Sequence, residues 1–252
     1  MNTPKQVCEN YIEIGKAKVN APVMHIFLLA IMAGMFIAFG GIASTVAGFS
    51  VSKFIGACVF PGGLAMVLLA GSELFTGNCL LIIPLLAKQI SIKKMLANLT
   101  IVYIGNFIGS IIIAAFVVYG HSLSVIDGLA IAAVNTAVAK CSLSFEDAII
   151  RGILCNFLVC IAVWISFAAK DVVGKISGLF FPIMIFVLCG FEHCVANMYF
   201  ISAGIFASME YSLAANITWF SFLFSNLLPV TIGNIIGGMI FVGCIYWKIY
   251  YK

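Results

Sequence analysis

Two short polar islands interrupt long apolar runs, and they hold the residues best placed to do chemistry. The first is Gly71-Ser72-Glu73-Leu74-Phe75-Thr76-Gly77-Asn78 and the second is Gly190-Phe191-Glu192-His193-Cys194-Val195-Ala196-Asn197. Both read Gly-x-Glu-x-x-x-small-Asn, at an offset of 119 residues (192 minus 73). A Glu in the middle of a membrane span costs about 2.5–3.5 kcal/mol, so it faces protein or water. Two glycines and an Asn favour unwinding, which at membrane depth is tolerated only beside a cavity or inside protein. Each island therefore predicts a broken helix, and the half-helix restarting there presents free N–H donors and partial positive charge. Two such ends favour an anion. Thr76 adds a hydroxyl, and His193 adds an imidazole whose type exchanges protons near neutral pH.

The elements that must position these groups repeat as well. Phe60-Pro61 precedes the first island and Phe181-Pro182 the second, while Gly105-Asn106-Phe107-Ile108-Gly109 returns as Gly233-Asn234-Ile235-Ile236-Gly237. Corresponding breaks in two halves of a membrane protein point to a transport site. Of 252 residues, 63% are hydrophobic and 9% charged, and mean hydropathy is +1.19, which describes a polytopic membrane protein. Six spans are expected, at about 22–48, 54–86, 95–119, 145–168, 176–206 and 227–246, with the second and fifth broken. Residues 1–20 are expected to form an N-terminal amphipathic helix, on the membrane surface or at the mouth of a pore, with a solvated lead-in as the alternative. The rest, 21–252, reads as one transmembrane domain of two repeats, about 21–120 and 144–249.

With both termini in the cytoplasm, ten lysines lie inside and only Lys53, Lys140 and Arg151 outside. Three spans per half make the repeats inverted, so the breaks meet near the midplane. The net charge of +4 follows from this distribution and suggests no nucleic acid. None of the nine cysteines forms a Cys-x-x-Cys pair, so they read as small apolar side chains, and no metal or cofactor is expected. A neutral-solute channel would need Asn-Pro-Ala motifs, and none of the six prolines follows an Asn. An intramembrane enzyme would need a nucleophile with a base or a metal set; three histidines and no Gly-x-Ser-x-Gly motif argue against one, and no catalytic residue is assigned.

Glu73 and Glu192 are expected to be structural acceptors that hold the unwound backbone, since exposed carboxylates would repel an anion. Asn78 and Asn197 are expected to cap the second half-helices. Asn106 and Asn234 are expected mainly to pack, with their amides bonding across helices.

Three stretches, Glu-Leu-Phe-Thr-Gly-Asn, Gly-Phe-Glu-His-x-x-Ala-Asn-Met and Asn-Leu-Leu-Pro-Val-Thr-Ile-Gly-Asn-Ile-Ile-Gly-Gly, resemble signatures of the formate/nitrite transporter family over nearly the whole chain. The resemblance implies an aquaporin-like protomer, a homopentamer in the bilayer of a prokaryotic inner membrane, and one path per protomer for a small monovalent anion. It also implies that Leu74, Phe75 and Thr76 sit on the pore loop and that His193 is the central histidine. By the same likeness Phe60, Leu64 and Phe186 form apolar constrictions, Asn156 and Asn234 make polar contacts near them, and Lys140 draws anions inward. Among branches for formate, nitrite and hydrosulfide, the short termini and compact loops look most like the hydrosulfide channels. The expected activity is passive, pH-dependent permeation, with a formate or nitrite transporter, proton-coupled or not, as the alternative.

Overall fold

Apolar segments of this length fold as helices because backbone groups in hydrocarbon must pair within the segment. A computed structural model describes residues 1–252, which form helices joined by short connections. Helix α1 (Pro4–Asn20) opens with a capping box, in which Thr3 accepts from the Gln6 amide and the Gln6 side chain accepts from Thr3 N–H. Then come α2 (Val23–Ser50), α3 (Lys53–Leu69), α4 (Phe75–Leu86), α5 (Ile92–Tyr119) and α6 (Leu129–Cys141). The second half continues with α7 (Phe145–Ala168), α8 (Val172–Leu188), α9 (Cys194–Glu210) and α10 (Ser221–Tyr250). Ser52, Ser91, Ser144 and Asp171 cap the helices that follow them, each accepting from a backbone amide three residues on.

Helices α2, α5, α7 and α10 are long and apolar enough to cross a membrane. They pack as α2 on α5 and α7 on α10, and glycines set both distances. A Cβ on Gly109 would lie 2.0 Å from the Ile31 carbonyl, and one on Gly237 would lie 2.3 Å from the Ile153 carbonyl. The repeated Gly-Asn-x-x-Gly motif thus permits backbone contact in both pairs. Helix α10 loosens to π geometry over Ser221–Leu227 and Ile236–Cys244. Helix α1 lies under the bundle. Asn2 donates from its backbone to Ala168 O (2.7 Å) and from its side chain to Phe167 O (3.0 Å), taking up free carbonyls at the end of α7.

Candidate functional site

Each polar island is an interruption between two helices, and the two interruptions end their upstream helices alike. After α3, Gly71 turns left-handed (φ +78°) and Ser72 N–H donates back to Val67 O at 2.9 Å. After α8, Gly190 does the same (φ +71°), with Phe191 N–H on Phe186 O at 3.0 Å. A six-to-one bond closed by a left-handed glycine is a Schellman end. A Cβ at either glycine would meet nothing within 4 Å, so the backbone angle, not space, requires glycine.

Two asparagines clamp the unwound chain. Asn106 on α5 donates to Ala30 O (2.7 Å) and Glu73 O (2.9 Å), and its own oxygen accepts from Phe75 N–H (2.9 Å). Asn234 on α10 donates to Gly152 O (2.8 Å) and Glu192 O (2.9 Å) and accepts from Cys194 N–H (2.9 Å). These residues do the backbone work that the sequence reading gave to Glu73 and Glu192, and packing is not their main role. The reason is geometric: an amide offers donors and an acceptor together, whereas a carboxylate only accepts.

The glutamates bind side chains instead. Lys18 Nζ donates to Glu73 Oε1 (2.7 Å) and Asn78 Oδ1 (3.1 Å), while Asn78 Nδ2 donates to Glu73 Oε2 (2.6 Å) and Asn98 Oδ1 (2.9 Å). In the second half, Lys140 Nζ donates to Glu192 Oε1 (2.9 Å), and Asn197 Nδ2 donates to Glu192 Oε2 (2.6 Å) and Asn226 Oδ1 (2.8 Å). Asn78 and Asn197 are therefore not caps. The N-cap positions belong to Leu74, which makes no capping bond, and to His193. The two networks differ in detail: Asn226 Nδ2 also donates to Glu192 Oε2 (3.4 Å), and Asn78 Oδ1 has Lys18, whereas Asn197 Oδ1 is buried without a partner.

His193 caps α9 through Nδ1, which accepts from Ala196 N–H at 3.0 Å. With that lone pair engaged, the neutral ring carries its proton on Nε2, which lies 2.9 Å from Thr76 Oγ1. Nε2–H then donates to Thr76, leaving the threonine O–H free to donate to a third group. Thr76 and His193, 117 positions apart, are both buried. Asn156 supports the threonine from behind, donating to Thr76 O (3.3 Å) and Asn234 O (2.7 Å).

Four cavities form a file past His193; Thr76 lines none of them and stands behind the histidine. A mouth of about 440 Å³ is lined by His25, Ser72, Glu73 and Lys175. It shares Lys18, Val67, Leu68 and Ser72 with a cavity of about 30 Å³. That cavity shares Leu64 and Leu74 with a central one of about 10 Å³, otherwise walled by Ile37, Val159, Ile183 and the residues of the next constriction. The centre shares Phe60, Phe186 and His193 with a cavity of about 140 Å³ beside Lys140, Asn197 and Phe200. A cavity needs about 10–15 Å³ to hold one water, so the centre is at the limit of hydration. Phe60 is edge-on to Phe186 (centroids 5.5 Å) and stacked on Phe200 (6.4 Å).

The sequence model of the formate/nitrite transporter family matches residues 5–248. The chain belongs to the formate/nitrite transporter family. An uncharacterized transporter of Bacillus subtilis (YrhG) is 42% identical, over 99% of this chain and 94% of that protein. The formate channel BtFdhC of Bacillus thuringiensis is 39% identical, over 99% and 96%. Among solved structures, a pentameric formate channel with formate bound is 34% identical and superposes with a TM-score of 0.79 over 91% of this chain and 98% of that one.

In this member of the family, the expected site residues fall into two groups. Thr76, His193, Leu74, Phe60, Leu64, Phe186 and Lys140 line the file of cavities or bond to a residue that does. Phe75, Asn156 and Asn234 line none of these cavities. Phe75 turns its ring onto Tyr103 (4.8 Å), and the two asparagines hold backbone. Sequence reasoning missed Lys18, Asn98 and Asn226 as members of the glutamate networks. A signal existed: Asn98 and Asn226 are offset by 128 residues (226 minus 98), as are Asn106 and Asn234 (234 minus 106).

Proposed function

We propose that the protein is a passive, pH-dependent path for small monovalent anions of weak acids, with formate foremost. The observation that carries this is the Thr76–His193 pair at 2.9 Å, set beside a nearly dry apolar chamber with a lysine at each approach. An anion gathers near Lys18 or Lys140 and loses water at the leucine or phenylalanine ring. It meets the Thr76 O–H and His193 Nε2–H as donors. A bare charge is costly in so apolar a chamber, whereas the neutral acid HA crosses it at far lower cost. If His193 supplies the proton, the imidazolium N–H bond at Nε2 breaks, the acid O–H or S–H bond forms, and a neutral ring remains. A ring protonated on both nitrogens sets Nδ1–H against Ala196 N–H, so this relay also requires release of the α9 cap.

Formate leads because similar relatives are named for it; hydrosulfide and nitrite are likewise small monovalent anions of weak acids. The proposed architecture is aquaporin-like, with two inverted repeats of three spans each and the second and fifth broken. Its support is the paired clamps, the paired lysine–glutamate networks and the Tyr103–Thr231 bond (2.8 Å) between positions related by the 128-residue offset (231 minus 103). A homopentamer in a prokaryotic inner membrane with cytoplasmic termini completes the reading, supported by the pentameric neighbour and the lysine distribution.

The test is anion flux into proteoliposomes, comparing formate, nitrite, hydrosulfide and chloride across about pH 5 to 8. Formate flux that rises as pH falls, with chloride excluded, is expected. Equal passage of chloride overturns the weak-acid reading, and hydrosulfide passing without formate moves the substrate to that branch. An unchanged pH profile in His193→Asn removes the histidine relay and leaves HA forming in the vestibule.

A further inference from the structure

The turn that carries Thr76 draws side-chain donors onto three successive carbonyls. Helix α4 makes a single α-helical turn, Phe75–Asn78, and tightens at once to 3₁₀ geometry over Cys79–Leu81. The tightened turn brings Cys79 N–H onto the Thr76 and Gly77 carbonyls, and a carbonyl has a second lone pair to offer. Side chains add donors in order. Phe75 O accepts from Cys79 Sγ (3.6 Å), Thr76 O accepts from Asn156 Nδ2 (3.3 Å) and Cys160 Sγ (3.4 Å), and Gly77 O accepts from the Tyr11 hydroxyl (3.2 Å). The donors to Thr76 and Gly77 come from α7 and α1, elements remote in sequence. Tyr11, Asn156 and Cys160 are all fully buried. Helix α10 presses on this cradle: a Cβ on Gly238 would lie 2.4 Å from Asn156 Nδ2 and 2.9 Å from Cys160 Sγ. The second break has only a longer counterpart, Ser110 Oγ on Val195 O (3.5 Å), and α9 runs as regular helix from Cys194 to Glu210.

We propose that Tyr11 and Cys160 are positioning residues for Thr76, fixing its hydroxyl through the carbonyls of Gly77 and Thr76. The inference rests on the reading of Thr76 as the hydroxyl an anion meets. It makes the N-terminal helix part of the selectivity apparatus and gives one buried cysteine a polar task. The Tyr11 ring stands edge-on to Phe167 (5.7 Å), a contact that Tyr11→Phe keeps while removing only the hydroxyl. Cys160→Ser keeps a donor at the same place, and Cys160→Ala does not.

The full-length protein in proteoliposomes is tested for the formate-to-nitrite permeability ratio and for half-saturation against maximal flux. Size exclusion checks that the assembly is intact. Tyr11→Phe and Cys160→Ala are each expected to change the ratio about two- to tenfold, the range one hydrogen bond spans, while Cys160→Ser stays within about twofold of wild type. Wild-type ratios in both Tyr11→Phe and Cys160→Ala, with Thr76→Val altered, overturn the proposal; a wild-type ratio in one alone removes that residue from it. Equal change in Cys160→Ser and Cys160→Ala also overturns the role of Cys160, because volume and not the donor would then matter. If Thr76→Val leaves the ratio unchanged, or neither anion permeates the wild-type protein, the pore-hydroxyl reading has failed and this inference falls with it.

Discussion

Replacing Asn234 with Ala deletes three hydrogen bonds at the second break, to Glu192 O, Gly152 O and Cys194 N–H. Each buried polar group left unpaired costs about 1–3 kcal/mol. The sum is discounted because a carbonyl keeps a second lone pair, whereas Cys194 N–H, at the first turn of α9, has no other acceptor. About 2–4 kcal/mol is the expected loss, equivalent to roughly 5–10 °C in melting temperature for a chain of this size. Asn106→Ala removes the same three bonds in the first break and should cost the same. Heating followed by size exclusion in detergent gives the melting temperature, and formate flux reports the site. Asn135→Ala, on an exposed face of α6, is the control and should lie within about 0.5 kcal/mol of wild type. Melting of both clamp variants at the wild-type temperature refutes the claim that these amides hold the breaks. A large difference between the two refutes their equivalence.

Lys18→Met leaves the Glu73 carboxylate buried with its own charge unanswered, and breaking such a pair costs about 3–5 kcal/mol; adding Glu73→Gln should recover much of the lost yield and melting temperature. No recovery in the double variant would mean that the ion pair is not what α1 contributes there. Gly71→Ala and Gly190→Ala place a Cβ in open space on a left-handed backbone, so each should cost about 1–2 kcal/mol in melting while the assembly still forms. Failure to assemble would show that a contact outside the single chain fills that space. The Cys8 thiol on α1 is pushed up to about 11 by burial and by the neighbouring Glu9 carboxylate. Its pKa lies above that of a free thiol, so the reactive thiolate is scarce at pH 8 and grows as pH approaches 11. Iodoacetamide should modify Cys8 far more slowly than a reference peptide thiol at pH 8, and rapid modification there refutes the burial.

The breaks could be read from sequence because their cause is local: Gly71 and Gly190 supply the left-handed turn, and a glutamate inside an apolar run has to face protein or water. Residue roles within the breaks were harder to read because many depend on partners on other helices, 20 or more positions away. Asn78 and Asn106 look alike in sequence, yet one completes a charge network and the other clamps backbone, and only the approach of α5 decides which. Asn106 and Asn234 lie inside motifs whose glycines explain close packing, and that sufficient explanation concealed the clamp. Lys18 was hidden differently, as one of several lysines on an amphipathic helix whose docking no periodicity reports. The offset of 128 residues shared by the pairs 98/226, 103/231 and 106/234 was present in the chain. An internal repeat therefore carries role information that single motifs do not: a polar residue kept at the same place in both halves of an apolar protein meets the same unpaired backbone twice. By that reasoning the exceptions mark function. Thr76 corresponds to Val195 and His193 to Leu74, pairs that differ in type, as do the regular start of α9 and the cradled turn of α4. On the proposed reading, an anion path built from repeated halves loses its symmetry at Thr76 and His193, where the anion would be met.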